Sequence, residues 1–141
     1  MSLNSIFKSI LIVDDNKIDT ILAKKTLEKD GYCENVVPFN SAKEAIKYLS
    51  ELASKEFEYI PSIVFVDMMM PDMNGFQFLE KFNELPDSIK KITKIVFVSG
   101  SLPSEDQQSQ LNSNSSVLKF ISKPLDKSSL ELVAKLYAEL N

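Results

Sequence analysis

The 141-residue chain has no histidine, no arginine and no tryptophan, and a single cysteine. Each absence removes chemistry. Without histidine there is no Ser-His-Asp triad, no histidine zinc site and no phosphohistidine intermediate within the chain; without arginine there is no arginine finger. All 16 basic residues are lysines, and 20 acidic residues outweigh them to give a net charge of −4. That balance argues against a DNA or RNA reader, which needs a basic face and usually arginine at the bases. Cys33 allows no internal disulfide, suits a reducing compartment and reads as a small packing residue. No apolar run approaches the roughly 20 residues of a membrane helix. Met1 to Ser9 also lacks the long apolar stretch and cleavage site of a signal peptide. The expectation is a cytoplasmic protein that contacts neither membrane nor nucleic acid.

What is present is the composition of one globular domain, 44% apolar and 26% charged. Ile10 to Val13, Ile63 to Val66 and Ile95 to Val98 are short continuous apolar runs rich in β-branched residues. Val117 to Ile121 is a fourth, interrupted by Lys119, and Val36-Val37 marks a shorter fifth. Continuous rather than alternating apolarity signals burial on both faces, as in a parallel sheet covered by helices. Five helical patterns lie between and after these strands. Asn16 to Asp30 places Ile18, Ile21 and Leu22 on one side, with Gly31 as a C-terminal stop. Ser41 with Glu44, Ser104 with Gln107 and Ser128 with Glu131 have capping-box spacing. Gly75 to Leu85 precedes Pro86. The last helix carries an apolar stripe of Leu130, Val133, Ala134, Tyr137 and Leu140. Strand and helix alternate five times, which right-handed crossovers turn into a three-layer α/β/α sandwich.

The functional signal is positional. The first strand ends in Asp14-Asp15, the third in Asp67, the fourth in Ser99 and the fifth in Ser122-Lys123-Pro124. In open α/β sheets, ligands bind beyond the carboxyl ends of the strands. Taken singly, each feature has a duller reading: Asp14 and Asp15 as helix-dipole partners, Asp67 as a loop aspartate, Ser99-Gly100-Ser101 as a turn, Met68 to Met70 as packing. Their coincidence at successive strand ends outweighs those readings. Two carboxylates about 5 Å apart repel by roughly 3 kcal/mol at an effective dielectric near 20, so three resist shared ionisation unless a cation joins them. An all-oxygen site favours Mg2+, which keeps positions for water and phosphate oxygens. Lys123 adds a positive charge suited to a phosphoryl oxygen. The pattern points to phosphoryl transfer.

Four segments carry a resemblance: Ile12 to Asn16 (IVDDN), Val66 to Gly75 (VDMMMPDMNG), Val96 to Ser101 (VFVSGS) and Phe120 to Pro124 (FISKP). The sequence resembles the receiver domain of two-component response regulators, of the stand-alone, single-domain type. The resemblance implies a five-stranded parallel sheet of flavodoxin-like order 2-1-3-4-5 with five helices. Because the sequence stops at Asn141 directly after its last helical pattern, the expectation is a receiver over residues 4–141 with no output domain. By the resemblance, Asp67 is the phosphoacceptor, and the donor is a phosphohistidine on a sensor histidine kinase or histidine phosphotransfer protein. Asp14, Asp15, Asp67 and the backbone carbonyl of Met69 are the expected Mg2+ ligands. Lys123 and Ser99 are expected to bind phosphoryl oxygens, while Pro71 and Gly75 shape the loop after the acceptor. Ser99 and Phe120 form the expected switch, and the bond before Pro124 is expected to be cis.

Phenylalanine at position 120, where tyrosine is commoner in the family, removes a hydroxyl and predicts a weaker bias between switch states. The helix opened by Ser104 has almost no large apolar residue except Leu111, which predicts the least stable helix. Leu132 and Leu136 lie off the main stripe of the last helix and are expected to offer an apolar edge to a partner. A magnesium-dependent phosphatase with an aspartyl nucleophile typically has a second aspartate two positions on, where this chain has Met69. A flavin carrier would want a Ser/Thr/Gly-rich loop in place of Asp14-Asp15-Asn16. The alternative of a receiver-like binding module that is never phosphorylated leaves all five chemical residues unexplained.

Overall fold

The computed structural model describes residues 7–29, 31–54, 60–101 and 103–140. Five strands, β1 (Phe7–Val13), β2 (Cys33–Phe39), β3 (Ile63–Asp67), β4 (Lys94–Ser99) and β5 (Val117–Ser122), form one sheet. All neighbours pair parallel, in the order β2-β1-β3-β4-β5. The helices among the described residues are α1 (Lys17–Lys29), α2 (Ala42–Leu52), α3 (Gly75–Asn83), α4 (Asp87–Lys90), α5 (Glu105–Asn112) and α6 (Lys127–Ala138). The topology is the expected one with one addition. The single-turn helix α4 follows Pro86 at its N-cap and buries Ile89, in a stretch too short to show a period.

Strands β1, β3 and β4 are buried on both faces because each face feeds a separate core, whereas the edge strands β2 and β5 are partly exposed. Leu11, Val13, Val64, Val66, Ile95 and Phe97 face the layer of α2, α3 and α5. Ile10, Ile12, Ile63, Phe65, Val96 and Val98 face α1 and α6. Continuous apolarity along β1, β3 and β4 is the sequence expression of that two-sided burial. Gly75 opens α3 hard against the third strand's exit. A β-carbon there would lie 2.3 Å from the sulfur of Met68 and 3.1 Å from the Phe97 ring.

Several local readings need correction. On α1, Ile18, Ile21 and Leu22 are 68%, 54% and 56% exposed, while Thr20, Ala23 and Leu27 form the buried line. The smaller side chains at Thr20 and Ala23 let the helix approach the sheet, so the second apolar line of the helix turns outward. On α6 the N-cap is Asp126, whose carboxylate accepts from the Ser129 amide at 2.9 Å; Ser128 lies inside the helix. Leu130 and Val133 are buried, but Leu140 falls beyond the helix and is 52% exposed. The Ser104–Gln107 box is reciprocal, and Ser41 accepts from the Glu44 amide. Asp30 at the end of the first helical pattern and residues 4–6 and 141 of the expected domain lie outside the described residues. Cys33 is buried, and burial pushes its thiol up to about 11, so it packs without ionising.

Candidate functional site

The carboxyl ends of β1, β3, β4 and β5 bring the expected residues together. Asp14 follows β1 directly, Asp67 ends β3, Ser99 ends β4 and Lys123 follows β5. Carboxylate oxygens of Asp14, Asp15 and Asp67 lie within 4.8 Å of one another. Asp14 and Asp67 are buried and Asp15 is exposed, so the cluster has two anchored members and one at the mouth. Backbone contacts hold the anchors. The Asn16 amide donates to Asp14 Oδ1 at 2.9 Å, and the Met69 amide donates to Asp67 Oδ1 at 3.1 Å. The Asn40 side chain donates to the Asp14 carbonyl at 2.8 Å, tying the end of β1 to the end of β2.

Lys123 supplies the counter-charge. Its Nζ lies 2.8 Å from Asp14 Oδ2, 2.8 Å from Asp19 Oδ2 and 3.3 Å from Asp67 Oδ2. The Lys123–Pro124 bond is cis, as expected. Burial works against the ammonium, yet its bonds to Asp14 and Asp19 outweigh that and hold Lys123 above its ordinary pKa. Burial pushes the Asp67 carboxyl up from the usual carboxylate value. The Asp14 charge adds to that rise, while the Met69 amide and Lys123 oppose it. A cleft lined by Leu22, Ala23, Phe65, Val98 and Leu125 runs beside these groups. Its apolar walls strengthen every charge interaction they border.

The donor set fits a hard divalent cation. It is all oxygen, carries three negative charges, and already attracts a cationic group to Asp14 and Asp67. Asp19 is the contributor that sequence reasoning missed. Its only local signal was its place in the first turn of the helix that starts at the end of β1; nothing around it in the sequence pairs it with Lys123. Of the methionine run, Met68 and Met70 are buried, while Met69 is 73% exposed. Ser99 is buried and its hydroxyl donates to the Ser101 carbonyl at 2.7 Å. Phe120 is buried and stacks on Phe97, with centroids 5.4 Å apart and 29° between planes. Lacking a hydroxyl, it packs as an ordinary core aromatic in the same cluster as Leu111.

A doubly wound parallel sheet binds its ligands at the carboxyl edge, and here that edge carries three carboxylates and a lysine. The chain belongs to the response regulator receiver domain family, whose family model matches residues 10–135. It is a receiver domain of two-component systems. The transcriptional regulatory protein YvrH of Bacillus subtilis is 33% identical over 94% of this chain and 48% of its own length. Histidine kinase CKI1 of Arabidopsis thaliana is 33% identical over 71% of this chain and 9% of the kinase. The chain thus spans about half, or far less, of these curated relatives. The receiver domain of that kinase, solved as a complex with Mg2+ and BeF3−, is 27% identical with a TM-score of 0.71, covering 94% of this chain and 89% of that one. A response regulator receiver protein from Dyadobacter fermentans, 27% identical, covers 92% and 98% with a TM-score of 0.78.

Proposed function

We propose that Asp67 accepts a phosphoryl group from a phosphohistidine on a sensor histidine kinase or histidine phosphotransfer protein. A carboxylate oxygen of Asp67 attacks phosphorus, the phosphorus–nitrogen bond breaks, and its electron pair returns to the donor's imidazole, leaving an acyl phosphate on Asp67. The observation that carries this reading is the Asp14–Asp15–Asp67 cluster facing the Lys123 ammonium. Asp14, Asp15, Asp67 and the carbonyl of Met69 would hold Mg2+, which when bound supplies charge neutralisation between carboxylates and phosphoryl oxygens. Lys123 pairs with one phosphoryl oxygen and Ser99 donates to another. The Mg2+ and BeF3− carried by the CKI1 receiver support the same reading here.

A protein donor is supported by α1, where Ile18, Ile21 and Leu22 form an exposed apolar line and Leu22 borders the same cleft as Asp67 and Lys123. The chain then acts as a signalling switch in the cytoplasm and not as a multiple-turnover enzyme; Met69 stands where an aspartyl phosphatase needs its acid. Among the described residues, no helix is long and apolar enough to cross a membrane. The signal leaves through the Ser99–Ser101 segment and Phe120 toward α5 and α6, where Leu132 is 39% exposed and Leu136 half-buried.

Incubation with Mg2+ and acetyl phosphate, followed by intact mass, tests this. Wild type gains one phosphoryl group and Asp67→Asn gains none. Steady release of phosphate over many turnovers would instead identify an enzyme, and no labelling at all an unphosphorylated binding module.

A further inference from the structure

Lys123 meets more carboxylate than the expected site requires. Asp14 and Asp67 belong to the acidic triple that can hold a cation; Asp19 does not. Yet Asp19 Oδ2 approaches Lys123 Nζ to 2.8 Å, as closely as Asp14 does and more closely than Asp67. Its placement is built. The Asp19 amide donates to Asn16 Oδ1 at 3.0 Å, so the carboxylate rides on the side-chain-capped first turn of α1. Its side chain is 39% exposed, against 8% for Asp14 and 10% for Asp67. Of the three partners, Asp19 holds the lysine at the wet edge of the site.

We infer that Asp19 is a positioning residue: it keeps the Lys123 ammonium when a divalent cation takes the oxygens of Asp14 and Asp67, and must release it when a phosphoryl group forms on Asp67. The inference rests on the reading of Asp67 as phosphoacceptor. A divalent cation and an ammonium repel one another if they share the same two carboxylates. Asp19 gives the ammonium a partner outside the cation-binding triple, so cation binding does not strand it. The same contact later opposes phosphorylation, because Lys123 must leave Asp19 to pair with a phosphoryl oxygen, and because the Asp19 charge repels that anion. Asp19 therefore aids cation binding and resists the phosphoryl state.

Opposite signs make the test. Mg2+ binding to the full chain and to Asp19→Asn is measured by calorimetry, and beryllofluoride binding is measured at saturating Mg2+. The Asp19→Asn chain binds Mg2+ about 2- to 5-fold more weakly and beryllofluoride about 2- to 5-fold more tightly, the range expected for a half-exposed ion pair. In a Lys123→Gln background, Asp19→Asn raises beryllofluoride affinity by a smaller factor, because only the charge repulsion is left to remove. Both affinities moving together, both unchanged, or the same gain without the lysine would overturn the positioning role. Wild type that binds no beryllofluoride, or Asp67→Asn that binds it as well as wild type, would instead overturn the reading of Asp67 itself.

Discussion

Lys123 Nζ and Asp67 Oδ2 stand 3.3 Å apart although 56 residues separate them in the chain. The same ammonium bridges Asp14, so one lysine balances the two buried carboxylates of the site. Removing it leaves like charges facing one another in a largely buried setting. Lys123→Gln in EDTA is therefore expected to lose about 2–4 kcal/mol of stability in urea denaturation. Excess Mg2+ is expected to restore much of that loss, because the cation neutralises the same oxygens. A loss unaffected by Mg2+ would show that the carboxylates do not form its site.

The raised pKa of Asp67 sets a pH dependence of definite sign. Its folded-state value lies above the ordinary carboxylate value of 3.8, so the native state binds the proton more tightly than the unfolded chain does. Stability contributed by Asp67 is present below that ordinary value and is lost as pH rises through the raised one. Asp67→Asn removes the ionisation. In EDTA at pH 7 its Tm should exceed that of wild type, because no charge is then buried at that position. The difference should shrink as pH falls toward 3.8, where wild-type Asp67 is protonated as well.

Helix α5 is anchored by one buried side chain, Leu111, whereas α2 buries Ala42, Ala45, Leu49 and Leu52. Native-state hydrogen exchange should show the amides of Glu105–Asn112 opening more easily than those of α2. Leu111→Ala should speed exchange across α5 at least tenfold, about 1.4 kcal/mol of lost local protection, while β1 and β3 keep theirs. Uniform loss over the sheet would show that α5 does not open as a separate unit.

The proposed docking of a phosphoryl donor on the outward line of α1 is separable from the chemistry at Asp67. Ile18→Ser and Ile21→Ser replace exposed side chains and should change stability by no more than about 0.5 kcal/mol each. Together they should slow phosphotransfer from a histidine phosphotransfer protein by about tenfold. Labelling by acetyl phosphate, which needs no docking surface, should stay at the wild-type rate.

The central strands and their ends were legible in the sequence because two-sided burial demands uninterrupted apolar runs, and the first polar residue after such a run marks its end. Asp14, Asp67 and Ser99 were visible for that reason; the partly exposed edge strand β5 carries Lys119 inside it, and Lys123 was visible only as a polar residue after its last apolar pair, Phe120-Ile121. Capping at Ser104 was equally local, since a side chain and an amide three residues on need no tertiary partner. The N-cap of α6 was not, because Asp126 and Ser128 both have cap-forming side chains and the path of the chain after Pro124 chose between them.

Helical periodicity specified that α1 has apolar lines, but not which one meets the sheet. The choice fell to the line of Thr20, Ala23 and Leu27 because the small side chains of Thr20 and Ala23 permit close approach, and it left Ile18, Ile21 and Leu22 largely in water. The Asp19–Lys123 contact spans 104 residues, and no pattern in either segment encodes it. It exists because the rotation that buries Ala23 also sets the Asp19 carboxylate over the exit of β5. Strand composition and strand ends belonged to the sequence, being consequences of burial along one segment; helix rotation, and every charge contact that follows from it, belonged to the packed structure.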